Sequence, residues 1–375
     1  MSTDTGPVIR ILSIDGGGIR GVIPARVLAD LEKLAGRPIA ELFDIIAGTS
    51  TGGLIALALT KPGPSGAPAL TTEDVVDVYM KHGNAIFPRF DRRTFRTWRE
   101  MVAARAVLAQ RVGALLSPRR FGNARYAAKG LQMLLVDKLG TARLADALTD
   151  VIVPAYDWRA GRAVVFRSRE AREGVAPNPS MALLARATTA APTYFPPVRH
   201  RLGEREVALI DGGFIANNPA SIAYYEALCL ERIRDVDAAF LMVSLGTGRP
   251  PESIPTYEEI WSRNWLKLAM GMLGVVFDGT SEVVDDLLAN IIGGRWRRGR
   301  YWRLQTDLWG VTLDLDDASP KNLDGLHALG SRLAADRRED LQEIAELLTA
   351  VGAEREGEAV PESTSARIRS RRGRG

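Results

Sequence analysis

The chain alternates between short β-branched apolar runs and stretches with helical spacing. Val8–Ile14 is apolar almost throughout and ends in Asp15 and three glycines, which reads as a buried strand. Apolar residues then recur at Val22, Ile23, Val27, Leu28, Leu31 and Leu34, the period of a helix. Residues 43–47 give a second strand and 51–59 a buried helix. Strand–helix–strand–helix with short connections predicts a mainly parallel sheet with helices on its faces. A Pro/Gly loop fills 61–70, and Thr72 is placed to cap a helix over 73–85. Further on the pattern predicts helices at 126–139, 180–190, 219–233 and 322–351. Strands are predicted at 150–155, 162–167, 207–210, 238–245 and 301–306. The fold class is α/β, with residues 1–351 as one unit, an Arg-rich helical insertion or cap near 88–125, and a disordered basic tail over 352–375.

Composition changes this picture little. The 375 residues are 46% hydrophobic and 25% charged, ordinary globular proportions. No apolar run nears the ~20 residues of a membrane span, and the first residues lack the charged and apolar stretches of a secretory signal. One cysteine, Cys229, allows neither an internal disulfide nor a Cys-based metal site, which suits a reducing compartment. The expected location is therefore cytoplasmic, with peripheral contact at the inner membrane face. The net charge is +4, but five arginines crowd the last nine residues, and the rest of the chain is slightly negative without them. The pI of about 9.3 thus reflects the tail and gives no argument for a nucleic acid polymer as partner. With three histidines, His82, His200 and His327, a multi-His metal site is not expected, and neither is a metal or an organic cofactor.

Three glycine-bearing strand ends carry the candidate chemistry. Asp15-Gly16-Gly17-Gly18-Ile19-Arg20-Gly21 joins a strand to a helix, and its side-chain-free amides can hold negative charge. Such a loop serves either as an oxyanion hole or, since Gly16-x-Gly18-x-x-Gly21 matches the dinucleotide fingerprint, as a phosphate cradle. Gly48-Thr49-Ser50-Thr51-Gly52 is G-x-S-x-G between strand and helix, the setting of a nucleophile elbow. Asp211-Gly212-Gly213 follows 207–210 and would put a carboxylate at the C-terminal edge of a parallel strand.

DGGGIRG, GTSTG and DGG in that order resemble the patatin-like phospholipase family of lipid acyl hydrolases. ATTAAPTYFPP (187–197), FIANNP (214–219), SLGTG (244–248) and DGTSEVVDDLL (278–288) support the likeness, which covers roughly 8–310. The resemblance implies a three-layer α/β/α sandwich. It implies Ser50 as nucleophile and Asp211 as base in a dyad. Oxyanion-hole amides would come from Gly16, Gly17 and Gly18, with Arg20 nearby. It implies ester hydrolysis in phospholipids or other glycerolipids, with a lipid surface as partner. Some bacterial members of this size resemble effectors of anti-phage defence switched on by a cyclic nucleotide, so such an activator is the implied regulatory ligand.

The histidine count agrees with a dyad. His82 falls in the variable cap region and His200 in a polar loop. His327 has the chain order of a Ser–Asp–His triad but sits in a helical pattern. Two segments are candidate lipid or anion contacts: the Trp- and Met-bearing stretch 260–277, and the run 295–303 with five arginines and three aromatics. The alternatives from other classes are a dinucleotide-dependent oxidoreductase and a catalytically silent lipid-binding or signalling module. The first lacks an acidic residue at the end of the second strand, because Asp44 falls at the start of that strand.

Overall fold

Among the described residues, eight strands form one mixed, mostly parallel sheet. They are β1 (Val8–Ile14), β2 (Ile45–Gly48), β3 (Asp150–Asp157), β4 (Arg162–Arg167), β5 (Val198–Leu202), β6 (Arg205–Asp211), β7 (Ala239–Leu245) and β8 (Gly299–Leu304). The computed structural model describes residues 7–87, 125–126, 128–251, 265–292 and 298–356, with backbone alone for 265–278 and 354–356. Hydrogen bonding links the strands in the order β5-β6-β3-β2-β1-β7-β8, with β4 also on β3. β1 lies inside the sheet between β2 and β7 and is buried on both faces, as its almost wholly apolar sequence requires. Ile9 and Ile11 pack with Phe240, Met242 and the helix Ala220–Arg234. Val8, Leu12 and Ile14 belong to the larger core beneath the helices Val22–Ala35, Thr51–Thr60 and Pro320–Asp336. Apolar packing on both faces makes the three layers expected from the sequence.

The sheet departs from expectation where it matters most. β1 runs parallel to β2 and β7, β2 to β3, and β7 to β8. β4, β5 and β6 are antiparallel to their partners. Asp211 therefore closes an antiparallel strand, not a parallel one. β4 covers one edge of β3 from Ile152 to Asp157, so β2 and β6 share the other edge. β2 takes it at Asp150–Ile152, and β6 arrives from the opposite direction at Ala155–Asp157. The C-terminal ends of β2 and β6 thus meet end to end, and each chain leaves the sheet at that junction. Register places Ala47 opposite Ile152 and Asp211 opposite Ala155. Ser50, as far beyond Ala47 as Ala155 is beyond Ile152, reaches the level of Asp211.

Smaller differences have local causes. The cap of the helix Thr72–Ile86 is Thr71, whose hydroxyl accepts from Asp74 N–H while Asp74 accepts from Thr71 N–H. Thr72 instead donates its N–H to Glu32 at 2.9 Å. The polar stretch holding His200 is strand β5, paired with β6 as a hairpin edge. The long terminal helix is two, Pro320–Asp336 and Arg338–Glu356, divided at Arg337 within a run of charged residues. The second continues past the expected boundary at 351. The region 88–124, Arg295, Trp296, Arg297, the side chains of 260–278 and the chain after 356 lie outside the described residues, so the expected cap, interfacial segment and tail are not part of this description.

The end of β1 is fixed by a buried ion pair. Arg303 of β8 reaches past β7 to Asp15, with Nη1 to Oδ1 at 3.1 Å and Nη2 to Oδ2 at 2.5 Å. Nη1 also donates to the Ser244 hydroxyl at 2.9 Å. Both side chains are largely withdrawn from water, so removing one leaves an uncompensated buried charge. Arg303→Met is expected to lower unfolding free energy by about 3–5 kcal/mol, read from the denaturant midpoint. A midpoint equal to wild type would show that the pair does not hold the loop.

Candidate active site

Ser50 stands between β2 and the helix Thr51–Thr60 with φ 53° and ψ −118°. This positive φ is costly for a non-glycine residue, and it throws the side chain clear of the sheet. The flanking glycines make the turn possible. A Cβ on Gly48 would overlap the Gly52 carbonyl, and one on Gly52 would overlap the carbonyl of Ile14. Thr188, fully buried, fixes the turn from outside: its hydroxyl accepts from Ser50 N–H at 3.0 Å and donates to Pro154 C=O at 2.8 Å.

The Ser50 hydroxyl donates to Asp211 Oδ2 at 2.7 Å. Asp211 Oδ1 accepts from Gly213 N–H at 2.7 Å, so the sequence Asp-Gly-Gly orients the carboxylate through its own following turn. A Cβ on Gly212 would overlap the Pro154 carbonyl, so the chain passes β3 too closely for a side chain there. Asp211 is 3% exposed. Burial pushes its carboxyl up to about 7, against the opposing pull of the Gly213 N–H and the Ser50 hydroxyl.

The glycine loop is held on its carbonyl side. Gly16 C=O accepts from the Thr247 hydroxyl at 2.7 Å. Gly17 C=O accepts from Arg20 N–H at 3.1 Å and Arg20 Nε at 3.4 Å. Each peptide is trans, so its N–H points opposite its carbonyl. The clamps thereby turn the Gly17 and Gly18 amides away from Thr247 and Arg20, and among the described residues neither has an acceptor. Gly16 differs from expectation: its N–H donates to Asn217 C=O at 3.0 Å and is not available. Ile19 N–H is likewise held by Leu315 C=O at 2.9 Å. With those two amides engaged, and with Asp44 paired to Arg10 at 3.2 Å, the loop lacks the makings of a dinucleotide cradle.

Gly17, Gly18, Ser50 and Asp211 open on one pocket of about 680 Å³, its mouth included, walled by Leu54, Tyr79, Phe87, Leu131, Phe195 and Leu315 among others. Its apolar wall suits an acyl chain. The aromatic side is braced from behind. Phe195 packs on Phe87 and Tyr126, and the Arg186 guanidinium lies 5.4 Å from the Phe195 ring centre. None of His82, His200 or His327 lines the pocket. His327 sits on the helix Pro320–Asp336, against Val22–Ala35. Among the described residues of the run 295–303, Arg298 pairs with Asp237, Arg300 with Glu343 and Arg303 with Asp15.

Sequence reasoning passed over Thr188, Thr247, Asn217 and Tyr79 as site residues. The first three lie in stretches that carried the resemblance, ATTAAPTYFPP, SLGTG and FIANNP, but the elbow and glycine-loop groups they hold are over a hundred residues away. Tyr79 is buried beside the elbow and shares a short hydrogen bond with the Thr51 hydroxyl.

Among the described residues no helix is long and apolar enough to cross a membrane. Residues 12–224 match the family model described as patatin-like phospholipase. Patatin-like protein 2 of Arabidopsis thaliana is 34% identical over 355 residues, covering 88% of this chain and 83% of that one. Patatin-2-Kuras 4 of Solanum tuberosum is 31% identical over 352 residues, with 88% and 87% covered. Among solved structures, VipD from Legionella pneumophila aligns over 97% of this chain and 80% of its own, at 13% identity and a TM-score of 0.30. From the family model and the plant relatives, this chain belongs to the patatin-like phospholipase family.

Proposed function

We propose that the chain is a lipid acyl hydrolase that cleaves carboxylic esters of phospholipids or other glycerolipids through a Ser50–Asp211 dyad and a covalent acyl-enzyme. The observation that carries this reading is the 2.7 Å hydrogen bond from a strained serine to a buried carboxylate at the floor of an apolar pocket. Ser50 Oγ attacks the ester carbonyl carbon while its proton passes to Asp211 Oδ2. The carbonyl π electrons move onto oxygen, where the Gly17 and Gly18 amides receive the charge. Collapse expels the alcohol oxygen, which takes the proton back from Asp211 and leaves the acyl group on Ser50. Water repeats the cycle, giving a proton to Asp211 and displacing Ser50, whose oxygen recovers it.

A carboxylate at its ordinary pKa is a poor base for a hydroxyl. Burial makes this one stronger, and membership of a lipid acyl hydrolase family supports the substrate class. The defence role and cyclic-nucleotide switch stay within this proposal without a placed ligand: an anion binding at 298–303 would have to displace Asp237, Glu343 or Asp15.

The test is labelling by a fluorophosphonate together with hydrolysis of a phospholipid and a p-nitrophenyl ester. Ser50→Ala should abolish both. Labelling of the variant at the wild-type rate would remove Ser50 from the mechanism.

Asp211→Asn should lower turnover by at least about 10²-fold. His327→Ala should leave turnover intact, and an inactive but folded His327→Ala would replace the dyad by a triad. Because the base must be ionised, wild-type kcat/KM should rise as pH climbs through about 7 and level off above it.

Stability should run the other way. A carboxyl with a raised folded-state pKa stabilises the fold at low pH and loses that contribution as pH rises through about 7. The melting temperature of Asp211→Asn relative to wild type should therefore increase between pH 4 and pH 8. A constant difference would show that Asp211 titrates normally.

A further inference from the structure

Asn217 lies just past the short helix Gly213–Ala216 that follows Asp211. Its backbone carbonyl holds Gly16 N–H, while its side chain lines the pocket with Ser50, Asp211, Gly17 and Gly18. A Cβ built on Gly16 would stand 2.5 Å from Asn217 Oδ1 and 3.3 Å from Ser50 Cβ. Carboxamide and nucleophile thus flank the gap that glycine leaves open.

Asn217 is 7% exposed, yet among the described residues nothing hydrogen-bonds its carboxamide. Its neighbour Asn218 shows the contrast. Asn218 Oδ1 accepts from Ala220 N–H at 3.0 Å and from the Ser13 hydroxyl at 3.4 Å, and its Nδ2 reaches Ser281 C=O at 3.5 Å. Asn218 holds elements together, and the Asn217 side chain holds none. The hydrogen-bonding capacity of the Asn217 carboxamide is therefore left for a polar atom that enters the pocket, water or substrate. With no chain partner to fix it, a half-turn about χ2 presents either Nδ2 or Oδ1 to that atom.

We propose that Asn217 is a catalytic residue: its side-chain N–H donates to the acyl oxygen as negative charge develops there, beside the amides of Gly17 and Gly18. The inference rests on the acyl-hydrolase reading above. It also explains Gly16. That amide is already engaged, so Gly16 does not serve as an oxyanion donor. It is glycine because a side chain would fill the space between the carboxamide and Ser50.

A donor to charge that exists only in the tetrahedral state acts on turnover and leaves ground-state binding nearly unchanged. The experiment compares Asn217→Ala and Asn217→Asp with wild type on a soluble p-nitrophenyl ester. It also uses a trifluoromethyl ketone, whose adduct with Ser50 carries the same oxyanion. Asn217→Ala should lower kcat by about 10²–10³ with little change in KM, and inhibitor Ki should rise by the factor that kcat/KM falls. Asn217→Asp, equal in shape but with a negative charge in place of the donor, should fall further.

Wild-type turnover and inhibitor affinity in either folded variant would overturn the proposal. Should neither variant fold, wild-type protein labelled with ¹⁵N-asparagine gives the answer. The Asn217 side-chain amide protons should move downfield on forming the ketone adduct, and unmoved resonances would overturn the assignment. A wild type that neither hydrolyses the ester nor is labelled at Ser50 refutes the hydrolase reading. A wild type that does both, with Asn217 variants equal to it, refutes this inference alone.

Discussion

The site depends on one hydrogen bond, from Ser50 to Asp211, made where water is excluded. A buried carboxylate is unfavourable unless donors surround it. Here two donors do so, the Ser50 hydroxyl and the Gly213 amide, and they do not fully offset burial. In the proposed mechanism, the residual cost is what makes Asp211 basic enough to take a proton from the Ser50 hydroxyl. The rest of the fold holds that unfavourable arrangement in place. β2 and β6 meet end to end on one edge of β3, Thr188 pins the Ser50 amide, and glycines at 48, 52 and 212 let three backbones approach more closely than side chains would permit.

The glycine loop follows the same logic. Its amides can face the pocket only because their carbonyls are held from behind, by Thr247 on β7's outgoing turn and by Arg20 on the loop's own helical turn. Asp15 is tied to Arg303, so the loop's acidic residue is neutralised within the sheet and adds no negative charge where the proposed mechanism forms an oxyanion. Fold stability and charge placement are thus served by the same ion pair.

Much of this was legible in the chain. Strand ends followed by glycines located Ser50, Asp211 and the loop, because those turns demand small residues at fixed spacing. The buried strands and amphipathic helices were legible because their apolar periods differ. The direction of β6 was not, since a strand's pattern is the same whichever way it runs, and only pairing with β3 decides. β5 was hidden because an edge hairpin alternates charged with apolar residues and reads as a loop. The break at Arg337 was hidden because the apolar spacing on either side continues across it. Thr188 and Asn217 could not be assigned roles, because a hydroxyl or carboxamide acquires one only from what stands opposite it.

The most direct test of this account is the titration of Asp211 itself, followed by ¹³C NMR of its side-chain carboxyl in the full-length protein. The account predicts a carboxyl that titrates at about 7 in wild type. A carboxyl that titrates in the ordinary range near 4 would mean that burial does not make Asp211 a base, and the dyad would lose its physical foundation.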